Sequence, residues 1–141
     1  MSNDYNLERF LEAQQSDYAI ALSEIKNGRK QSHWMWYIFP QVFGLGYTGT
    51  SIMYAIKSLD EAAAYLNHEV LGKRLIEISN ALLVLETSDA YKVFGSTDNM
   101  KLRSSMTLFS LVPGADKVFR EVLDKFFDGR VDERTLQLLN A

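Results

Sequence analysis

The spacing of apolar residues between Val70 and Leu85 constrains the fold most. Val70, Leu71, Leu75, Ile78, Ala81, Leu82 and Leu85 recur largely at intervals of three and four, with Arg74, Glu77 and Asn80 between them. That period places the apolar side chains on one stripe of an α-helix and the polar ones opposite. A second run, Asp116 to Asp128, carries Phe119, Val122, Leu123, Phe126 and Phe127 on one face, with Gly114 before it and Gly129 after it as a stop. Two amphipathic helices need partner surfaces, and the rest of the chain must supply them.

Shorter helical signals fill most of the remainder. Leu7, Phe10 and Leu11 predict a helix from about Asn6 to Gln15. Tyr18, Leu22 and Ile25 predict the next, capped by Ser16 or Asp17 and stopped at Asn27-Gly28. Ser58-Leu59-Asp60-Glu61 reads as a capping box opening a helix through Leu66. Ser88 is placed to cap a short helix closed by Phe94-Gly95, and Ser96-Thr97-Asp98 to cap one from Asn99 to about Leu111, broken by Pro113-Gly114. Asp132 caps a last helix through Leu139. The β-rich stretch from Trp34 to Phe43 is interrupted by Pro40. The expected fold is therefore mostly α: one compact domain over residues 1–141, of about seven to nine short helices in irregular orthogonal packing. A chain of this length buries roughly two-thirds of its unfolded surface and supports its own core.

Composition narrows the function. The chain has no Cys, which excludes disulfides, thiolate zinc sites, iron–sulfur clusters and Cys nucleophiles. It has only two His, so no metal and no cofactor are expected. The net charge of −3 argues against a general nucleic-acid binder, although Arg29-Lys30 with Arg103 would be the local patch such a reading needs. No apolar run reaches the roughly 18 residues that span a bilayer. Met1 to Tyr5 lack the basic and apolar regions of a signal peptide. A soluble, cytoplasmic protein with no membrane partner is expected.

Two stretches break the pattern. Gln31 to Gly49 holds both Trp residues, one of the two His, one of the two Pro and three of the eight Gly. It reads either as a core segment with a tight loop or as the wall of a ligand pocket. Both hold if Trp36, Ile38 and Phe39 pack inward while His33, Trp34 and Gln41 face a cleft. Gly44-Leu45-Gly46 is no dinucleotide fingerprint, because the third glycine is misplaced and no βαβ unit surrounds it. The second stretch is Asp98 to Phe109. On a helix, Asp98, Lys101 and Ser105 share one stripe with Ser104 adjoining, while Leu102, Met106 and Phe109 form another. Such a polar stripe suits an anion or a sugar hydroxyl. It suits equally a solvated face, or small residues that let helices approach closely.

Together these stretches resemble the family known as domain of unknown function 1810, some of whose members carry a calpastatin-like label. The resemblance rests on His33-Trp34-Met35-Trp36-Tyr37-Ile38-Phe39-Pro40-Gln41 followed by Gly44-Leu45-Gly46. It continues through Tyr54-Ala55-Ile56, Leu71-Gly72, Phe94-Gly95, Asp98, Lys101-Leu102 and Ser104-Ser105-Met106-Thr107-Leu108-Phe109. It implies a small bacterial α-helical domain and no particular reaction. A fainter likeness, at the level of fold, links the chain to α-helical N-glycosidases acting on riboflavin intermediates and ADP-ribose derivatives.

The chemistry left open is that of a pocket. No Gly-x-Ser-x-Gly elbow is present, and His68 falls in a helix–helix turn where exposure is expected. His33 and Asp98 are the candidate catalytic residues: His33 can shuttle a proton, and Asp98 can activate water or accept from a ribose hydroxyl. Trp34 or Trp36 can stack on a ring, Gln41 can hydrogen-bond, Lys101 can hold a phosphate or carboxylate, and Ser104 and Ser105 can complete the anion site. The ligand expected is an anionic small molecule, nucleotide- or ADP-ribose-like. The rival reading is a protein-interaction module, or a homo-oligomer, that uses the aromatic run as its interface. The residues leave open whether a reaction follows binding.

Overall fold

The computed structural model describes residues 5–140. Among the described residues it contains nine helices: α1 (Glu8–Lys26), α2 (Met35–Ile38), α3 (Gly49–Met53), α4 (Leu59–Asn67), α5 (Leu71–Val84), α6 (Ala90–Phe94), α7 (Asp98–Ser110), α8 (Val118–Phe127) and α9 (Glu133–Leu139). No strand forms among them, and a single parallel bridge pairs Val42 with Ile56. No described helix is long and apolar enough to cross a membrane.

The centre is made by α5, α7 and α8. α8 packs on both α7 and α5, α1 and α4 lie against α5, and α9 closes over α7. α5 buries Leu71, Leu75, Ile78 and Leu82, and α8 buries Phe119, Val122, Leu123 and Phe126, the stripes their periodicity predicts. Each such side chain contributes roughly 1.5–3 kcal/mol by leaving water. α8 stops where Asp128 takes a left-handed φ of 55° and the Gly129 N–H donates to the Leu123 carbonyl at 3.0 Å.

Caps mark several starts. The Ser58 hydroxyl accepts from the Glu61 N–H at 3.1 Å. Glu61 reaches back to the Lys57 N–H at 2.8 Å, one residue earlier than a capping box requires, and its other oxygen pairs with Arg9 at 2.8 Å. Asp132 caps α9 as expected. Asp89, not Ser88, caps α6 by accepting from the Tyr91 N–H. His68 is half-buried rather than exposed: its Nδ1 accepts from the Val70 and Leu71 N–H groups and so caps α5.

Three segments differ from, or add to, the sequence reading. The two helices predicted before Gly28 are one, with Phe10, Gln14, Ala21 and Ile25 buried along it. Gln14 hid this continuity, because a polar residue occupies a core position. Its amide donates to the Tyr37 carbonyl at 2.8 Å and the Tyr65 hydroxyl at 3.0 Å, and its carbonyl accepts from Arg74 at 3.3 Å. The β-rich stretch instead forms one helical turn before Pro40, and its only ladder geometry is the Val42–Ile56 bridge. α3, capped by the Thr48 hydroxyl, arises inside the glycine-bearing loop without an apolar period to announce it.

Gly72 fixes how closely α4 and α5 approach. A Cβ there would lie 2.0 Å from the Leu66 carbonyl oxygen, a backbone atom that cannot step aside as a side chain would. Ala is the better helix former by about 1 kcal/mol, but overpacking against backbone costs more, about 3 kcal/mol. Gly72→Ala is therefore expected to lower the unfolding free energy by about 2 kcal/mol in a denaturant titration. A variant as stable as the parent would show that the two helices do not meet this closely.

Candidate functional site

The site begins where α1 ends. Beyond Asn27 the chain turns at Gly28, whose φ of 79° favours glycine, and the Lys30 N–H donates to the Val93 carbonyl at 2.7 Å. Residues 31–34 then run past the last turns of α1, where one carboxylate gathers them. Glu24 accepts from the Gln31 N–H at 2.7 Å, the Ser32 N–H at 3.0 Å, the Ser32 hydroxyl at 2.5 Å and the Trp34 indole N–H at 2.9 Å. Burial acts to raise its pKa, but these four hydrogen bonds outweigh it and hold the carboxyl down to about 2.

Anchored there, Trp34 is a core residue, 1% exposed and packed against Phe39 and Phe94. The helical turn of α2 buries Met35 and Ile38 and turns the Trp36 ring to the other side. There it meets α7. The Lys101 Nζ sits 4.4 Å from the centre of the Trp36 ring and 3.0 Å from one oxygen of Asp98. The other Asp98 oxygen lies 2.9 Å from the Lys30 Nζ, which is 5.0 Å from the Trp34 ring. Burial raises the Asp98 pKa, yet the two ammonium groups overcome it and keep the carboxyl below the usual carboxylate range.

Between these walls lies a hollow of about 380 Å³, lined by Lys30, His33, Trp36, Thr50, Asp98 and Lys101 together with Trp34, Met35 and Tyr37. His33 is exposed at its rim, and its carbonyl accepts from the Tyr37 hydroxyl. The two lysines differ. Lys30 also donates to the Ser32 carbonyl at 2.5 Å, and its side chain is only 8% exposed. Lys101 has one carboxylate partner and a side chain 24% exposed. An ammonium has three N–H bonds, and among the described residues only one of those on Lys101 meets an acceptor.

The remaining predicted site residues lie elsewhere. Gln41 is 5% exposed and does not line the hollow. Its main-chain carbonyl accepts from the Ile56 N–H, while its side-chain Nε2 is buried without a partner. Ile38 and Phe39 pack inward and His33 lines the hollow as expected, but the roles of the other three are exchanged: Trp34 and Gln41 are buried, and Trp36 faces the hollow. Ser104 and Ser105 do not line the hollow. Ser104 donates to Asp132 at 2.9 Å, across to the start of α9, and Ser105 is wholly buried. α7 is buried nearly all round from Ser104 to Phe109, because α4, α8 and α9 all pack on it. Its serines therefore serve close helix packing beyond the first turn. The sequence reading missed Glu24 and Thr50 entirely, and saw Lys30 only as part of a basic dipeptide. A lone acidic residue ten positions before Trp34 carries no local signal.

A larger cavity, about 440 Å³, lies beside Arg9. The five guanidinium N–H bonds there meet the carbonyls of Tyr5, Asn6, Met53 and Ala55 and the Glu61 carboxylate. The Arg9 guanidinium therefore has no N–H left for a ligand. Among the described residues no group of three or more His, Asp or Glu is arranged to hold a metal ion.

A family model described as a protein of unknown function (DUF1810) matches residues 4–139. The fold is similar to the crystal structure of a conserved hypothetical protein from Mycobacterium tuberculosis, with 40% sequence identity, a TM-score of 0.95 and 99% of each chain covered. A comparison with curated proteins finds no match.

The Glu24 geometry sets a pH signature. Glu24→Gln removes the charge that strengthens four hydrogen bonds and is expected to cost about 1–3 kcal/mol at neutral pH. The folded pKa lies below the ordinary 4.5, so this contribution is complete above about pH 5 and is lost as pH falls toward 2. The stability curves of parent and variant should converge between those limits. Curves that stay parallel would contradict the assignment.

Proposed function

The chain belongs to the DUF1810 family of proteins of unknown function, and on that premise we propose that it binds an anionic small molecule, nucleotide- or ADP-ribose-like, in the hollow between the His33–Trp36 segment and α7. One observation supports the reading: Lys101 lines the hollow, is held by Asp98 on one side and the Trp36 ring on the other, and among the described residues its ammonium has no other hydrogen-bond partner. A cation fixed before the ligand arrives loses little entropy on binding, which favours affinity. Two lysines against one carboxylate leave the hollow net positive, although the chain is net negative.

In this reading Lys101 receives the phosphate or carboxylate of the ligand. Asp98 keeps Lys101 oriented; with both oxygens engaged and its pKa lowered, it is a positioning residue and a weak base. His33, exposed at the rim, is the group able to exchange a proton with a bound molecule. The free edge of Trp36 offers contact to a ring.

A second reading, a protein-interaction module or homo-oligomer, draws on Phe43, Tyr47, Ile52 and Met53, which are exposed just beyond the buried aromatic run. Light scattering that finds a monomer at high concentration would set the homo-oligomer aside.

Thermal unfolding with AMP, ADP-ribose and sugar phosphates tests the first reading. A ligand at about 100 times its dissociation constant stabilises the protein by about 2.7 kcal/mol, which raises Tm by roughly 5–10 °C for a chain of this size. Lys101→Ala should abolish most of that shift and His33→Ala should reduce it. No shift with any of these compounds, or equal shifts in all three proteins, would contradict the proposal.

A further inference from the structure

We infer that the hollow continues across Lys30 into a second anion subsite formed by Arg29 and Lys92, so that the protein takes a molecule carrying two phosphates, such as a diphosphate-bridged nucleotide, in preference to one with a single phosphate. This rests on the reading of the first hollow as an anion site.

A neighbouring hollow of about 380 Å³ is lined by Arg29, Lys30, Tyr91, Lys92 and residues 93–95. Lys30 lines both hollows and is the wall residue they share. The second has three cations and no carboxylate in its lining. Arg29 and Lys92 are exposed, and among the described residues neither forms an ion pair. Across both hollows there are four cations and one carboxylate, Asp98, on a chain that is acidic as a whole. Composition does not account for that concentration.

The backbone holds the pair together. The Lys30 N–H donates to the Val93 carbonyl at 2.7 Å, which fastens the residue after Arg29 to the residue after Lys92. Lys30 itself cannot receive the second anion fully, since Asp98 and the Ser32 carbonyl already occupy it. The proposal thus joins two cationic centres through a neutralised one: Lys101 in the first hollow, Arg29 with Lys92 in the second, and Lys30 in the lining of both. A single phosphate satisfies one centre and leaves the other repelling its neighbours. A two-phosphate ligand satisfies both. The Arg29 fork can grip two oxygens of one phosphate, and Lys92 adds a point charge. Tyr91, 59% exposed, supplies a ring face beside them.

Calorimetric titration with AMP and with ADP-ribose separates the claims, using the full chain, Lys101→Ala and the double variant Arg29→Ala/Lys92→Ala. Both substituted residues of the double variant are exposed, and unchanged circular dichroism confirms its fold. The parent is expected to bind ADP-ribose about tenfold more tightly than AMP. The double variant should bring that ratio within about twofold while leaving AMP affinity unchanged; Lys101→Ala should weaken both ligands. A double variant that keeps the parent's ratio, or a parent that binds the two ligands equally, overturns the second subsite and leaves the first hollow standing. A parent that binds neither overturns both.

Discussion

The Asp98 carboxylate is the joint on which the site depends. One oxygen holds Lys30, which follows α1, and the other holds Lys101, one turn into α7. Segments some seventy positions apart in sequence thereby become two walls of one hollow. The joint is cooperative for a physical reason. The Lys30 side chain is almost out of water, and an ammonium withdrawn from solvent without a counter-charge costs several kcal/mol. Each lysine also lies over a tryptophan ring, so charge and aromatic packing fix the same atoms.

Glu24 makes this joint possible from the other side. The chain leaving α1 carries few apolar residues between Asn27 and His33 and could not be held by packing alone. A single carboxylate collecting two backbone N–H groups, a hydroxyl and an indole N–H substitutes for a core there. It settles which tryptophan is buried. With its indole N–H bound to Glu24, Trp34 enters the aromatic cluster with Phe39 and Phe94, and the helical turn that follows leaves Trp36 for the hollow. The shape of the hollow is therefore set by contacts within the protein itself.

How far the chain could be read in advance follows from the range of each interaction. α5 and α8 were legible because their apolar stripes repeat over three turns and need no knowledge of their partners. The caps at Ser58 and Asp132 were legible because they act within four residues. α1 was misread at Gln14, where a buried amide satisfied by Tyr37 and Tyr65 looks like a polar break in an apolar period. α7 was legible as a helix but left its serines with three alternatives, of which close packing holds from Ser104 onward: helices on several sides bury polar and apolar positions alike, so no stripe separates them. In the site, Trp36, His33, Asp98 and Lys101 stood out through residue type and local spacing. Glu24 and Lys30 did not, because their roles exist only once α1, the loop after it and α7 are brought together.

The proposed role of the hollow depends on whether an anion enters it at Lys101. Backbone amide and tryptophan indole NMR shifts, followed during a titration with AMP, test that residue by residue. Shifts should concentrate at His33, Trp36, Thr50 and Lys101, with the Arg9 cavity silent. Saturating shifts around Arg9 and Glu61 instead, or none at Trp36 and Lys101, would contradict it.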